Sequence, residues 1–455
     1  KNHFYIKEYD ENVYEIIYKL KKYAESGIKN YTHSVDLWMK NSGLIIDCDE
    51  KKNALRNLFK NSKVAFIYGA AGTGKSTMIN YISSLFKDKQ KIFLANTNPA
   101  VENLRRKVTA EHAEFVTITK FLSKDVSNDC DILCLDECST ISNRDMVRVL
   151  QRAQCKLLVL VGDIYQIESI LFGNWFNIAY KVMPKDSVAE LTRPHRTTVQ
   201  GLIEVWNKVR EITEDRLEFI TRNGLSSTLD ESIFSRTEED EIVLCLNYDG
   251  IYGINNINKF LQSNNVNPSI NWGVLSYKVG DPVLFNESNR FAPLVYNNLK
   301  GKILQIEEEE DCIYFTIEVY TVLNELDVIG FDLELKESVT DETSVIRFKV
   351  GRGGDGNDDN DNVENVVPFQ VAYAISIHKA QGLEYESVKV VITSEIEEMV
   401  SHNIFYTAIT RAKSKLKIYW SPETEKRILE NMKVQFNDKD YQLFKAKYKE
   451  ALLKS

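Results

Sequence analysis

An α/β protein with two parallel-sheet domains, a small antiparallel β insertion in the second and a helical segment ahead of both is the fold this sequence predicts. Three observations carry that reading. Short apolar runs alternate with amphipathic stretches from Lys63 onward. The same alternation starts again near Glu241, and between its halves lies a stretch in which apolar and polar residues alternate one by one. Continuous apolar runs are strands buried on both faces, as in a parallel sheet with helical crossovers; strict alternation marks a sheet with one wet face.

The chain has 455 residues, 43% hydrophobic and 27% charged. That is an ordinary globular composition, with length for about three domains. Residues 1–60 read as helices: Ile16, Ile17 and Leu20 stand at helical spacing, and Ala54, Leu55 and Leu58 follow. VAFIY (64–68), KIFLA (91–95), DILCL (131–135) and LLVLV (157–161) are the predicted strands of a first domain over residues 61–190. EIVLCL (241–246), FQVAYAISI (369–377), SVKVVIT (387–393) and KLKIYW (415–420) are those of a second, over 191–278 and 352–455. The insertion, 279–351, holds PVLF, GKILQI, CIYFTIEVY, FDLEL and SVIRFKV, and the Gly-, Asn- and Asp-rich 351–365 reads as a loop.

No apolar run approaches the roughly 20 residues of a membrane helix. Residues 1–10, KNHFYIKEYD, are charged and mixed, unlike a signal peptide, and the absence of an initiator Met is what a piece of a longer chain shows. Seven scattered cysteines read as free thiols in a reducing, cytoplasmic compartment. Cys130, Cys134 and Cys138 are not at zinc spacing and read as core thiols.

The chemistry begins at GAAGTGKST, between the strand VAFIY and an amphipathic stretch. Gly69, Ala70, Ala71, Gly72, Thr73, Gly74, Lys75, Ser76 and Thr77 have the order of a phosphate-binding loop. Glycines let successive backbone N–H groups turn inward, and the following helix N-terminus adds its dipole. Lys75 would reach the β- and γ-phosphates of ATP, and the Ser76 hydroxyl would ligate Mg²⁺. About 60 residues on, a buried strand ends in Asp136 and Glu137. Asp136 fits a Mg²⁺ partner at a strand's carboxyl end, and Glu137 a base that orients the attacking water. The adjacent glutamate favours hydrolysis over transfer to a small acceptor.

The loop, then DECSTIS (136–142), VGDIYQIES (161–169), ELTRPHRT (190–197), AYAISIHKAQGLEY (372–385) and FYTAITRAK (405–413) resemble, in sequence and order, the motifs of superfamily 1 helicases. HKAQG, and the Ile-Glu-Ser after Gln166, resemble the RecD, Dda and Pif-type branch. The resemblance runs from about Lys63 to Trp420. It implies two RecA-like P-loop domains, an SH3-like β insertion, and ATP hydrolysis coupled to movement on single-stranded nucleic acid. It implies a DNA substrate with RNA as an alternative, and 5′→3′ polarity. Gln166, with Asp163, would sense the γ-phosphate. Arg196 and Arg411 would be second-domain arginines directed at it, always charged and fixed in geometry. Gly382 and Glu384 would lie against the nucleotide, Glu384 at the ribose. Thr97, Asn98, Thr117 and Thr119 in the first domain, and Ser376 and His378 in the second, would hold the phosphate backbone without reading bases. Tyr165 and Trp175 read as core residues rather than base-stacking platforms, and the acidic and basic residues of GFDLELK as strand alternation rather than a nuclease centre.

Two departures stand out. The family's adenine-reading Gln upstream of the loop is missing from DCDEKKNALRNLF (47–59), and the interval from Thr117 to Asp136 leaves little room for a strand-splitting hairpin. The second departure supports an alternative function, an ATPase motor subunit of a larger nuclease or phage-defence complex. A further alternative is a nucleotide-gated binding module that does not translocate.

The charge balance, 57 basic against 66 acidic residues for a net of −9, argues against a generic nucleic-acid binder. Yet Glu238–Glu241, Glu307–Asp311 and Asp355–Glu364 together hold 14 acidic residues and no basic ones, leaving +5 for the remainder. A basic strand path is therefore compatible with the total. Binding to nonspecific DNA without ATP should be modest and fall more than about tenfold between 50 and 200 mM salt; a titration at the two salt concentrations checks it.

Overall fold

The structure is a computed structural model that describes residues 6–123, 127–167, 169, 172–193, 197–286, 290–292, 294–338, 340–352, 365–433 and 438–448. Contacts divide the chain into two compact units, residues 1–214, 401–410 and 432–455, and residues 215–400 and 411–431.

The first unit is built on six parallel strands: β1 (Val64–Gly69), β2 (Lys91–Ala95), β3 (Ala113–Thr117), β4 (Asp129–Leu135), β5 (Gln154–Gly162) and β6 (Val188–Leu191). Their spatial order is β3-β2-β4-β5-β1-β6. Phe66 of β1 lies opposite Leu160 of β5 on one side and Val188 of β6 on the other, so the strand leading into the phosphate loop is paired along both edges. Successive side chains of β1 feed opposite faces. Val64, Phe66 and Tyr68 join a core with Val13, Ile16, Ile17 and Leu20 of the helix Lys7–Ala24, while Ala65 and Ile67 meet Leu55, Leu58 and Phe59 on the other face. The helical lead-in thus covers both faces of the sheet. That is why β1 is apolar throughout rather than alternating.

Trp175 is fully buried, and its indole N–H donates to the Ile141 carbonyl at 3.0 Å. Tyr165 is half-buried, its ring centre 6.3 Å from that of Tyr406 in an edge-on arrangement. Trp175 is therefore a core residue, as the sequence predicts for it, whereas Tyr165 keeps part of its surface open.

The second unit contains β7 (Ser226–Ser227) and β8 (Glu241–Cys245), then a hairpin of β9 (Ser269–Trp272) and β10 (Leu275–Lys278). There follow β11 (Pro282–Phe285), β12 (Lys300–Glu308), β13 (Cys312–Val319), β14 (Glu334–Lys336), β15 (Ser344–Gly351), β16 (Phe369–Val371), β17 (Ala374–Ser376), β18 (Tyr385–Val391) and β19 (Ala412–Tyr419). Five of these form a parallel sheet, β17-β8-β18-β19-β7, and six an antiparallel one, β14-β15-β13-β12-β11-β16. In β13 the buried residues Ile313, Phe315, Ile317 and Val319 alternate with more open ones, as the pattern predicts.

One predicted strand divides. FQVAYAISI is not a single strand of the parallel sheet, because Phe369–Val371 pairs antiparallel with β11 and Ala374–Ser376 parallel with β8. The change occurs over two residues: Ala372 N–H donates to the Pro282 carbonyl, and the Tyr373 carbonyl accepts from Val243 N–H. The acidic side chains of GFDLELK are surface partners of basic ones, Glu334 lying 2.7 Å from Lys336 and 3.6 Å from Arg347. Of the acidic run Asp355–Glu364, all residues lie outside those described.

Replacing Trp175 by Phe strands the Ile141 carbonyl and empties part of the core. It should cost about 1–3 kcal/mol in chemical denaturation while leaving affinity for single-stranded DNA unchanged.

Candidate active site

The loop after β1 is shaped by close approaches. A Cβ on Gly69 would come within 2.4 Å of Thr73 Oγ1, so only glycine fits there. Gly74, at φ +84°, caps the helix Lys75–Leu85 in the left-handed region that glycine adopts without penalty. Thr73 Oγ1 donates to the Ala70 carbonyl at 3.0 Å, tying the loop's two sides together. The Lys75 ammonium curls back over the loop and donates to the carbonyls of Gly69 and Ala70 at 2.9 and 3.0 Å. Ser76 and Thr77 follow in the first helical turn, where unpaired N–H groups favour anions.

Asp136 and Glu137 come directly after β4, at the same, carboxyl edge of the sheet as the loop. Asp136 Oδ1 accepts from Glu137 N–H at 2.9 Å. Burial pushes the Asp136 carboxyl above its ordinary pKa; that backbone bond and the positive charges of Lys75 and Lys107 pull the other way. Glu137 has φ +52°, a conformation non-glycine residues avoid at a cost of about 1–2 kcal/mol. Its carbonyl accepts from the Thr140 N–H and hydroxyl at 2.8 and 2.9 Å, which holds the turn.

Past β5, Asp163 is buried and organises the next turn. Its carboxylate accepts from Tyr165 N–H at 3.0 Å and from the Gln166 side-chain amide at 3.4 Å. The helix His402–Ile409 supports both this turn and the phosphate loop. Asn403 donates to the Gln166 carbonyl at 3.0 Å, Thr407 Oγ1 accepts from Ile167 N–H at 3.1 Å, and the Tyr406 hydroxyl accepts from Ala71 N–H at 3.4 Å. These three side chains lie in or beside the FYTAITRAK stretch, which as a motif says nothing of what they pack against.

The strand-binding candidates of the first unit have local roles. Thr97 caps the helix Asn98–Lys107, accepting from Ala100 N–H, and Thr117 caps Ile118–Leu122, accepting from Lys120 N–H. Since Ala95 pairs with Thr117, both caps stand at the carboxyl edge of the sheet. Asn98 and Thr119 are exposed there.

In the second unit, Arg411 is buried and donates to the Leu383 carbonyl at 3.2 Å, while its own carbonyl accepts from Tyr385 N–H. Gly382 has φ +80°, and the Glu384 carbonyl accepts from Lys300 at 3.3 Å. Arg411, Gly382 and Glu384 thus share one corner of this unit. Ser376 is buried and accepts from Lys379 N–H, whereas His378 is exposed. Arg196 lies outside the described residues.

Among the described residues no three His, Cys, Asp or Glu side chains converge as a metal site. A hydroxyl at Ser76 and a carboxylate at Asp136 are hard oxygen donors. This set suits a magnesium ion that takes its other ligands from water and phosphate.

Asp136 also generates a stability prediction. Its folded pKa lies above the ordinary 3.8, so the folded state holds the proton more tightly; stability is favoured below 3.8 and lost as pH rises through the higher folded value. Asp136→Asn removes that penalty. At pH 7 the variant should melt at the same or a higher temperature than the parent while losing ATPase activity, measured on one preparation.

Comparison with known proteins points the same way as this geometry. A model described as an AAA domain matches residues 48–230, and one described as a UvrD-like helicase C-terminal domain matches residues 371–419. An uncharacterized protein of Methanocaldococcus jannaschii is 24% identical over 81% of this chain, and the chain spans 37% of that protein's length. The RecD subunit of the RecBCD enzyme from Buchnera aphidicola is 23% identical over 85% of this chain and 78% of its own. The crystal structure of a Bacteroides Pif1 helicase in complex with ADP-AlF3 and single-stranded DNA shares the fold, with a TM-score of 0.52 at 16% identity, covering 89% of this chain and 98% of its own.

Proposed function

We propose that the chain is a RecD- and Pif1-like superfamily 1 helicase, the kind of protein it is similar to, and that it is an ATP-driven motor on single-stranded DNA that moves 5′→3′. That makes it a nucleic-acid-dependent ATPase. The observation that carries the reading is the shared carboxyl edge of the first sheet, where the Lys75 loop, the Asp136–Glu137 pair and the Asp163–Gln166 turn follow β1, β4 and β5, three adjacent strands.

In this reading the loop N–H groups and Lys75 bind the β- and γ-phosphates. Magnesium, when bound with the nucleotide, supplies charge to the phosphate oxygens, and Ser76 and Asp136 are the residues that would hold it. Glu137 accepts a proton from the attacking water, and its fixed left-handed turn sets the direction in which the carboxylate points. Gln166 reads the γ-phosphate; because Asn403 and Thr407 hold its turn, that signal passes to the helix His402–Ile409. Arg196 and Arg411 supply positive charge to the γ-phosphate when the cleft between RecA-like domains, 61–190 and 191–278 with 352–455, closes on ATP. Hydrolysis reopens it. Thr97, Asn98, Thr117, Thr119, Ser376 and His378 hold the strand through its phosphates, assisted by an SH3-like insertion over 279–351. Gly382 and Glu384 lie against the nucleotide, Glu384 at the ribose.

One observation favours the second reading, a motor subunit of a nuclease or defence complex. Only residues 123–128 join the helix Ile118–Leu122 to β4, too few for a strand-splitting hairpin, so a partner would supply the wedge. The similarity to RecD, named as a subunit of the RecBCD enzyme, fits it.

Steady-state ATPase with single-stranded DNA, single-stranded RNA and no strand tests the primary reading, with DNA giving the largest stimulation. Lys75→Ala or Glu137→Gln should lower stimulated turnover at least a hundredfold; retained turnover in either sinks the assignment. Robust unwinding of a tailed duplex by the chain alone would count against the subunit reading.

A further inference from the structure

In the second unit the turn 377–384, between β17 and β18, carries His378 near its start and Gly382 and Glu384 near its end. The antiparallel sheet holds this turn at both ends through a lysine. Lys379 donates to the side-chain carbonyl of Gln370, in β16, at 2.9 Å and to that of Asn286, just after β11, at 3.1 Å. Lys300, at the start of β12, donates to the Glu384 carbonyl at 3.3 Å and pairs with Asp240 at 2.6 Å. Its ammonium lies over the Tyr385 and Tyr320 rings, 4.1 and 5.2 Å from their centres.

Asp240 ties the pair to the same segment. One of its oxygens takes Lys300, and the other accepts from Glu386 N–H at 3.2 Å. Tyr385 N–H donates to the Arg411 carbonyl at 3.0 Å, and Arg411 donates to the Leu383 carbonyl at 3.2 Å. Residues 383–386 are thus bonded both to Arg411 and to the charged pair that Lys300 brings from the insertion.

Packing alone does not account for a lysine here. Burial holds its ammonium below the ordinary pKa, against the pull of Asp240, and apolar side chains of similar volume are often as stable as a buried ion pair or more so. What the charged pair adds is direction. An ammonium donates to a carbonyl and a carboxylate at once, so a shift of β12 carries Glu384 and Tyr385 with it. Two attachments from one sheet, at the two ends of one turn, leave that turn little freedom to move apart from the sheet.

We propose that Lys300, set by Asp240, is a positioning residue for Glu384, and that through it a strand held by the insertion controls ATP turnover. Strand and nucleotide then share one segment, and each favours the same placement of it. This rests on the motor reading and adds how the strand acts on that site.

The test is ATP turnover of the whole chain with and without single-stranded DNA, beside strand affinity and a melting curve. Lys300→Met combined with Asp240→Asn removes both charges and leaves an acceptor for Glu386 N–H. This double variant should melt with the parent, bind the strand as tightly and keep its unstimulated turnover, while stimulated kcat falls about tenfold. Lys300→Arg should retain stimulation, because a cavity of about 90 Å³ beside Lys300 has room for the guanidinium. Full stimulation in the double variant, an equal loss with and without the strand, or a loss regained at saturating strand overturns the inference alone. A parent that no strand stimulates overturns the motor reading and the inference with it.

Discussion

The first unit depends on β1 being held along both edges by parallel neighbours. A phosphate loop presents successive N–H groups to one point only if the strand before it and the helix after it are fixed. Pairing of Phe66 with Leu160 and Val188 fixes the strand, and the Gly74 turn sets where the helix starts. From that anchor the rest follows by topology. In a parallel sheet every strand delivers its carboxyl end to the same edge, so Asp136 and Asp163 arrive beside the loop without any contact arranged for the purpose.

The same edge concentrates buried polar groups, and the structure satisfies them in short-range sets. Asp163 serves Tyr165 and Gln166, Asp136 serves Glu137, and the Glu137 carbonyl serves Thr140. Each set fixes a backbone turn rather than a side chain in isolation, which spares the site the cost of orphaned donors. The exception is Asp136 itself, where burial raises the carboxyl against its bonds. Stability given up at such a position is the usual mark of a residue kept for chemistry.

Charge behaves differently in the folded protein than in the sequence total. The run Glu238–Glu241 is acidic as a sequence, yet each member meets a lysine from another strand: Glu238 with Lys415, Glu239 with Lys302, Asp240 with Lys300 and Glu241 with Lys389. Glu307 and Glu308 likewise pair with Arg347 and Arg352. Setting the acidic runs aside to leave a positive remainder therefore overstates the basic surface, because six of the cations in that remainder are the partners of those runs. Asp240 and Lys300 do more than cancel: Lys300 also reaches the Glu384 carbonyl and lies 4.1 Å from the Tyr385 ring centre, joining β12 to the segment that carries Glu384.

The phosphate loop, the acidic pair after a buried strand, both parallel sheets and the alternating insertion were legible because each is a local pattern, in which spacing along the chain dictates geometry within a few residues. The division of 369–377 between two sheets was not, since periodicity reports burial and not which neighbour accepts a strand's hydrogen bonds. Nor was the role of Tyr406 and Thr407, which meet Ala71 and Ile167 across more than 200 residues of chain. Lys300 shows the boundary most clearly. Its sequence context is the edge of an alternating strand, and only the folded chain brings its ammonium to the Glu384 carbonyl with Asp240 beside it. By itself the sequence determined which chemistry the chain carries, because phosphate binding and hydrolysis need particular residues at close spacing. Only the tertiary structure decided which distant side chains complete that chemistry, because those contacts are set by packing between elements and leave no period in the sequence.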